Sequence, residues 1–310
     1  MRRLELVPVL ASSVALLAAC GASEPVASTR IEGNLLRVDL GRFEVPAGDT
    51  LTCFSTGLVT DREYAIGSAL GMQDAGGHHI TIYWTEDPTE FAPRPCRDED
   101  MLTWNFVAGT GGEPGAGDDQ DLPEGLAFRL PAHAHLVVQA HYINTTGAPL
   151  RVRDTLDIEL LDPSAIDAYA AMFAISDGAF EIPPRTRFRR VSDCTVTQPL
   201  DVVLLLGHLH EAGTFFSLER LHDGAEPEML YEQSWESRYV AHPPVRRWPT
   251  DEPLQLAAGT RLRQTCEWMN TESESLLFPS EMCVSSMYYY PDLGEGLIVC
   301  DPEVVTSSAF

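Results

Sequence analysis

The sequence predicts an all-β protein of the sandwich or barrel type. Short runs of β-branched, leucine and aromatic residues recur along the chain, and Gly, Pro, Asp or Asn residues bound them. The 23 Gly and 22 Pro residues fit many turns and leave few stretches for uninterrupted helices. Many short apolar runs separated by frequent turn signals are typical of antiparallel β-sandwiches and barrels.

Seven runs are predicted as strands because β-branched, leucine or aromatic residues dominate them and turn residues bound them. In chain order they cover residues 36–40, 80–84, 136–142, 155–161, 202–206, 215–221 and 284–290. A turn signal, Asp-Pro-Ser at 162–164, follows the fourth run and divides the chain into two halves. Each half is long enough to enclose a β-sandwich core of its own.

The composition is that of an acidic globular protein. The chain has 310 residues, of which 44% are hydrophobic and 22% charged, and this length fits one large domain or two medium ones. All 21 cationic side chains are Arg, and 46 acidic residues give a formal net charge of −25. A surface this negative repels phosphate backbones, so the composition argues against nucleic-acid binding.

The N-terminal residues have the pattern of an export signal. Arg2 and Arg3 form a basic head, and residues 7–19 are apolar and too few to span a membrane. Residues 17–20, Leu-Ala-Ala-Cys, resemble the lipobox of bacterial lipoproteins. The resemblance implies cleavage before Cys20 and acylation of its thiol, whereas an ordinary signal peptide would leave that cysteine unmodified.

We therefore expect a lipoprotein signal peptide over residues 1–19 and a lipidated Cys20 followed by a tether to residue 30. Gly21 and Ala22 follow Cys20 in place of Asp, which in such lipoproteins permits transfer to the outer membrane. Several acyl chains on one residue hold a protein stably at a membrane. The expected location is the outer membrane, with the chain facing the periplasm or the cell surface.

Six further cysteines indicate structural disulfides. They are Cys53, Cys96, Cys194, Cys266, Cys283 and Cys300. An even number in an oxidising compartment predicts three disulfides, for which the sequence alone allows fifteen connectivities. A thiolate metal site is the alternative, but it favours closely spaced C-x-x-C pairs, and the sequence contains none.

Five of the nine histidines stand in three compact settings. His78 and His79 follow the pair Gly76-Gly77, His141 ends an apolar run, and His208 and His210 follow the run 202–206. Side chains alternate across a strand, so His208 and His210 lie on one face and can hold one ion together.

Adjacent residues in a regular strand face opposite ways, so His78 and His79 reach one ion only where the backbone is distorted. Gly76-Gly77 makes a bulge or a turn feasible at that point. Imidazole is a ligand for Zn, Cu, Fe or Ni, and histidines alone leave the metal open.

The spacing of the histidines does not by itself identify a site. His133 and His135 have the same H-x-H spacing beside Pro131, in what is predicted to be a solvent-exposed hairpin turn. His222 and His242 lie beside turn residues and are predicted in loops. An H-x-H pair on a strand is also commonly part of a polar face.

The order of the motifs and their flanks resembles the copper type II, ascorbate-dependent monooxygenases, which include peptidylglycine α-hydroxylating and dopamine β-monooxygenases. The resemblance extends from about residue 49 to residue 301. It is carried by Asp-Thr-Leu-Thr-Cys at 49–53, His-His at 78–79, Leu-Pro-Glu-Gly-Leu-Ala-Phe-Arg at 122–129, Gln-Ala-His-Tyr at 139–142, Asp-Cys at 193–194, His-Leu-His at 208–210, Ser-Glu-Met-Cys at 280–283 and Tyr-Tyr-Tyr at 288–290.

The resemblance implies two copper sites. His78, His79 and His141 would form the site of the first half, which stores an electron. His208, His210 and Met282 would form the site of the second half, which binds dioxygen. Replacing one imidazole by a soft thioether favours Cu(I). The alternative for Met282 is a core methionine that fills a gap.

The resemblance also implies a fold and a disulfide pattern. The fold would be two antiparallel jelly-roll-like β-sandwich domains, residues 31–163 and 164–310, which face each other across a cleft. The disulfides would be Cys53–Cys96, Cys194–Cys300 and Cys266–Cys283.

Three departures from the family pattern concern the substrate pocket. Peptide-hydroxylating members carry an Arg two residues before H-x-H that binds the substrate carboxylate, and this chain has Leu206 there. Ile80 replaces the usual Met after the His-His pair. Ser285 and Ser286 lie where the family has a tyrosine shortly after its methionine.

The resemblance implies hydroxylation of an aliphatic C–H bond of a small-molecule or peptide substrate. The cofactors would be two copper ions, with ascorbate or another one-electron donor as co-substrate. The alternative is a non-catalytic copper-binding lipoprotein that uses the same ligands.

Overall fold

A computed structural model describes residues 27–87, 92–97, 100, 103–110, 121–240, 242–278, 280–294 and 297–310. The predicted signal peptide and the predicted lipidation site, Cys20, lie outside the described residues. In the described part of the chain, no helix has the length and apolar character needed to cross a membrane.

The first half of the chain forms ten strands in the described residues. Their bounds are β1 Ser28–Glu32, β2 Leu35–Val45, β3 Gly48–Val59, β4 Tyr64–Met72, β5 Gly77–Thr85, β6 Arg94–Pro95, β7 Asn105–Thr110, β8 Leu126–Leu130, β9 His135–Asn144 and β10 Leu150–Leu161. A short 3-10 turn, Pro163–Ala165, follows β10 at the point where the sequence predicts a boundary.

The second half forms thirteen strands over its described residues. Their bounds are β11 Ala168–Ser176, β12 Glu181–Ile182, β13 Thr186–Thr195, β14 Leu200–His208, β15 Gly213–Leu221, β16 Glu228–Ser234, β17 Val245–Arg247, β18 Leu254–Leu256, β19 Arg261–Asn270, β20 Leu276–Leu277, β21 Val284–Tyr290, β22 Ile298–Cys300 and β23 Glu303–Ala309. A second 3-10 turn, Ser237–Tyr239, lies between β16 and β17.

The predicted all-β fold class is confirmed. All seven predicted runs lie within strands, namely β2, β5, β9, β10, β14, β15 and β21. One boundary differs from the prediction, because β1 begins at Ser28 and residues 28–30 therefore belong to a strand and not to the tether. They pair antiparallel with β2.

The first half is a sandwich of two sheets. One sheet has the strand order β6-β3-β9-β5-β7, and the other consists of β1-β2-β10-β4-β8, which form one end of an eleven-stranded sheet. Apolar side chains alternate with polar ones along β2, so that Leu36, Val38 and Leu40 face inward. They join Phe54 and Ile82 of the opposite sheet in one buried core.

The second half repeats this arrangement. Strands β11, β21, β14 and β17, with β22 beside β11 and β18 beside β14, form the other end of the eleven-stranded sheet. The five-stranded sheet β16-β15-β19-β13-β23 contributes to the same core. The core includes Trp268, Phe216 and Tyr289.

The two halves share a sheet and part of a core. Strand β11 pairs parallel with β8, with Ala168 opposite Leu126. Val203, Leu204 and Tyr288 of the second half belong to the first half's core cluster. This junction fixes the position of β14, and hence of the histidines that follow it, against the first half.

The structure contains three disulfides, Cys53–Cys96, Cys194–Cys300 and Cys266–Cys283. They are the three pairs that the family resemblance implies. Cys53 lies in β3 and pairs with the residue after β6, Cys194 links β13 to β22, and Cys266 links β19 to the residue before β21.

Candidate metal centre

The five histidines of the predicted sites converge where the two halves meet. The His78 ring centroid lies 4.7 Å from that of His79 and 4.6 Å from that of His141. The same ring lies 5.7 Å from His208 and 5.1 Å from His210, both of the other half. Side chains from β5, β9 and the end of β14 therefore form one cluster.

A backbone irregularity brings His78 and His79 together. The register between β5 and β9 shifts between Gly77 and His79, which is the distortion that the two glycines make feasible. Gly76 has a φ of 87°, in the left-handed region that favours glycine. A Cβ on Gly77 would overlap the side chain of Gln73. His79 then lies directly opposite His141 of β9.

The second pair of histidines lies at the end of β14. His208 is the last residue of that strand, and His210 follows it in an irregular segment. Gly207 precedes them because a Cβ at this position would overlap the ring of Phe216, which packs directly on the backbone. The Leu-Gly-His sequence thus reflects the close approach of β15 to the site.

Hydrogen bonds fix the orientation of two of the rings. The Nε2 atom of His141 lies 2.8 Å from a carboxylate oxygen of Asp49. The Nδ1 atom of His210 lies 3.1 Å from the carbonyl oxygen of Ser280. A carbonyl and a carboxylate accept, so each of these ring nitrogens donates, and in the neutral form of the ring the other nitrogen keeps its lone pair. This is the arrangement of a metal-binding histidine with an outer hydrogen-bond partner.

Among the described residues, four buried imidazole nitrogens have no hydrogen-bond partner. They are Nε2 of His78, Nδ1 of His141, Nε2 of His208 and Nε2 of His210. Unpaired buried polar atoms are costly, and a metal ion removes the cost by accepting the lone pairs. Imidazole nitrogens suit Cu and Zn, so the residues present fit the copper that the resemblance implies.

The electrostatics of the cluster favour neutral rings. Burial, followed by the neighbouring imidazoles, lowers the pKa of His78, His79 and His208 well below the ordinary value of 6.5. Burial first and His141 second lower the pKa of His210 to about 4. Neutral imidazole is the form that binds metals, so no proton has to leave these rings at neutral pH.

The resemblance implies that the two sites face each other across a cleft. In the structure the two sets of histidines lie close together instead. His78, His141 and His210 expose only 3%, 0% and 1% of their surface. Two groups of three histidines, His78-His79-His141 and His78-His208-His210, each have ligand atoms within 4.8 Å of one another. His78 belongs to both groups because the shared sheet holds the two halves in contact.

Met282 lies two residues before β21, which pairs with β14. In the β14–β21 register, His208 is opposite Val284 and Gly207 is opposite Ser285. The side chain of Met282 is half-buried.

Glu281 connects the Met282 segment to the histidines. Its carboxylate accepts hydrogen bonds from the backbone N–H groups of His210 (3.0 Å) and Ala212 (2.6 Å) and from the indole N–H of Trp268 (2.9 Å). Burial raises the pKa of Glu281 to about 7 against the opposing effect of these donors. The carboxyl group of Glu281 thus holds the turn after His208 close to the segment that carries Met282.

Sequence reasoning gave no role to Asp49 or Glu281. Both lie in segments that carry the family resemblance, Asp49 at the start of the first cysteine segment and Glu281 immediately before Met282. For Glu281 the available signal was an acidic residue next to a predicted ligand, because metal-bound imidazoles and their loops need outer acceptors. Asp49 is 92 residues away from His141 in sequence and had no such signal.

The departures from the family pattern lie around the cluster. Leu206 and Ile80 are buried in the core of the first half. The hydroxyl group of Ser285, also buried, donates to the amide oxygen of Gln264 at 2.9 Å. An apolar Leu206 provides no charge for a substrate carboxylate.

The remaining histidines lie apart from the cluster. His133 is exposed in the turn before β9, as predicted, whereas His135 is the first residue of that strand. His222 is exposed beside Glu228, and His242 is half-buried in the segment before β17.

No protein-family model and no curated protein matches the chain. A structure from Sulfolobus turreted icosahedral virus is 11% identical, with 80% of this chain and 59% of that chain covered and a TM-score of 0.25. A structure reported for the triple jelly roll fold and turret assembly of an archaeal virus is 10% identical over 84% and 61% of the two chains, with a TM-score of 0.23. One from cucumber leaf spot virus is 9% identical over 93% and 99%, with a TM-score of 0.16.

The chain spans about three-fifths of the length of the first two viral proteins. All three TM-scores are below 0.5, and we draw neither fold nor function from these similarities.

Proposed function

We propose that the protein is a copper-dependent monooxygenase that hydroxylates an aliphatic C–H bond. The observation that carries the proposal is the convergence of five histidines from both halves, with four buried imidazole nitrogens that have no partner. His78, His79 and His141 would hold one copper ion, and His208, His210 and Met282 the other.

The overall reaction converts R–H, O2, two electrons and two protons into R–OH and water. Ascorbate, or another one-electron donor, supplies the electrons in two steps. Bound copper would supply one-electron redox chemistry and an open coordination position for dioxygen. The unequal ligand sets support different tasks, because a thioether favours Cu(I) more than a third imidazole does.

The protein's own groups prepare this chemistry. Asp49 and Ser280 hold the tautomers of His141 and His210, and Glu281 fixes the turn after His208. The covered position of the rings keeps water from the cluster and strengthens electrostatic interactions there.

The proposed substrate is neutral or cationic, without a carboxylate next to the reacting carbon. Leu206 takes the place of the arginine that binds the substrate carboxylate in peptide-hydroxylating relatives. The strong negative charge of the chain also favours amines over anions in the encounter.

We propose that the protein acts outside the cytoplasm as a lipoprotein. The basic head, the apolar stretch and the lipobox-like residues before Cys20 support export. The three disulfides support an oxidising compartment.

Anaerobic loading with Cu(I), followed by oxygen uptake with ascorbate and a substrate panel, tests the proposal. We expect two copper ions in the wild type, and weaker binding or loss of only one of them in Met282→Ala. His141→Ala should retain copper in the second half and lose most product formation, because the second electron no longer has its site. The panel should include neutral compounds, amines and peptidyl-glycines.

His133→Ala is the matched control, because His133 is an exposed histidine with the same H-x-H spacing. It should leave both the copper content and oxygen uptake unchanged. A single zinc ion, with no copper retained under reducing conditions, would contradict the two-copper proposal.

A copper-binding protein without catalysis is the second candidate, and the almost complete burial of His78, His141 and His210 favours it. Its expected result is full copper loading in the wild type without ascorbate- and copper-dependent oxygen uptake for any member of the panel.

A further inference from the structure

His78 is the one histidine that the two ligand groups of the described residues share. It lies in β5 of the first half, yet its ligand atom is within 4.8 Å of those of His208 and His210 in the second half. The family pattern assigns His78 to the first-half copper alone. The geometry offers it a second role.

The free nitrogen atoms define that role. The Nδ1 atom of His78 lies 2.6 Å from Nδ1 of His79, so these two atoms share a hydrogen bond. The Nε2 atoms of His78, His208 and His210 are buried and have no partner. The hydrogen bond from Nδ1 of His210 to Ser280 leaves the lone pair of its Nε2 available.

We propose that His78, His208 and His210 hold one metal ion through their Nε2 atoms, and that this ion joins the two halves of the chain. Three imidazole nitrogens with a fourth position open are a ligand set for Zn(II) and for Cu(I). The proposal rests on the proposed function only in taking these histidines as metal ligands.

The site would make the closed arrangement of the halves dependent on the metal. An ion bound across the junction stabilises only the arrangement in which all three rings meet. While it is bound, the Nε2 atom of His78 is not available to the first-half site, where only Nδ1 of that ring and the rings of His79 and His141 remain.

A full-length variant with His79→Ala and His141→Ala isolates the new site, because it lacks two of the three ligands of the first-half copper. Competition titrations with Zn(II), and with Cu(I) under anaerobic conditions, measure its affinity. We expect one ion to remain bound. Removing the hydrogen-bond partner of a metal ligand typically lowers metal affinity by about 10–100-fold. His78 is itself a ligand in this proposal, so His78→Ala in the same variant should lower the affinity for the ion by at least as much.

Met282→Ala in the same background is the matched comparison. It should weaken binding less than His78→Ala does. In the variant that lacks His79 and His141 but keeps Met282, the bound Cu(I) should give an X-ray absorption spectrum of nitrogen ligands. His78→Gln, which keeps a polar side chain of moderate size, replaces His78→Ala if circular dichroism shows that the alanine variant does not fold.

The proposal is overturned if removal of His78 leaves both affinities unchanged while Met282→Ala abolishes binding. That outcome would place the ion on His208, His210 and Met282 and leave the proposed function intact. Failure of the wild type to bind any metal would instead overturn the proposed function as well.

Discussion

Asp154 is a fully buried carboxyl group that connects the core of the first half to the histidine cluster. The hydroxyl group of Tyr142 donates to it, and the side-chain amide of Gln73 donates both to Asp154 (3.4 Å) and to the carbonyl oxygen of His141 (3.3 Å). Burial raises the pKa of Asp154 from 3.8 to about 7, against these hydrogen bonds. The protonated form is therefore favoured by folding.

This shift predicts a pH-dependent contribution to stability. Because the pKa of Asp154 is higher in the folded state, protonation of this group stabilises the folded protein most below pH 3.8. This contribution is lost as the pH rises through about 7. The free energy of unfolding of the metal-free wild type, relative to Asp154→Asn, should fall across this range by on the order of 4 kcal/mol. Urea denaturation of both proteins at a series of pH values measures the difference. A difference that does not change with pH would contradict the assignment.

Individual residues differ in how far the sequence predicts them. Gly76 and Gly77 indicated the backbone distortion that brings His78 and His79 together, because a turn or a bulge needs such residues. Asp154 also had a signal, since it lies at an inward position in the alternation of Val152, Leu156 and Ile158. No sequence signal indicated that His78 belongs to both groups of histidines, because this depends on how β14 is placed against β5.

The segment between β20 and β21 carries Met282 and is held on both sides of that residue. Glu281 accepts three hydrogen bonds immediately before it, and Cys283 forms a buried disulfide with Cys266 of β19 immediately after it. The described residues of this segment form no strand after Leu277, so these attachments position it.

Replacing Cys266 and Cys283 by Ser should therefore weaken Cu(I) binding at the Met282 site and leave the first-half site loaded. The loop closed by this disulfide spans 17 residues, and its loss should also cost about 3 kcal/mol of stability. Anaerobic Cu(I) competition and urea denaturation measure the two effects.

The matched control removes Cys194 and Cys300, which close a loop of 106 residues between β13 and β22. Its loss should cost more stability, about 4.7 kcal/mol, without a specific effect on Cu(I) affinity in the folded protein. Equal losses of Cu(I) affinity in the two double variants would show that the Cys266–Cys283 link has no special role.

The strands themselves were the most predictable elements. Runs such as 80–84 and 284–290 combine β-branched or aromatic residues with flanking turn signals, and these local properties suffice for β5 and β21. The position of one strand beside another depends on contacts between residues far apart in sequence. The parallel pairing of β8 with β11 has no local signal.

The whole molecule is organised around the junction of its halves. The ring of Tyr288 lies 5.1 Å from that of Phe128 at a right angle, so side chains of β21 and β8 meet across the intervening strand β11. The sequence predicted two sandwiches from length and turn signals, but the closed junction depends on this packing. The cluster of five histidines exists only because the junction is closed.

A shared sheet and core predict that the two halves unfold together. Leu204 of β14 is buried in the core of the first half, while the next residue, Leu205, is buried in the core of the second. Each Leu→Ala change should destabilise the protein by about 2–5 kcal/mol. If the halves are coupled, both variants should still show one transition, shifted to lower denaturant.

Tryptophan fluorescence can report on each half separately, because Trp84 and Trp104 lie in the first half and Trp235, Trp248 and Trp268 in the second. Trp→Phe replacements that leave the probes of only one half should give coincident unfolding curves in the wild type, in Leu204→Ala and in Leu205→Ala. Independent halves would respond differently, because Leu205→Ala would then lower only the second-half transition while the first-half curve stayed in place. Coincident curves would mean that a change in either core is transmitted to the histidine cluster, since the cluster takes side chains from both halves and forms only when both are folded.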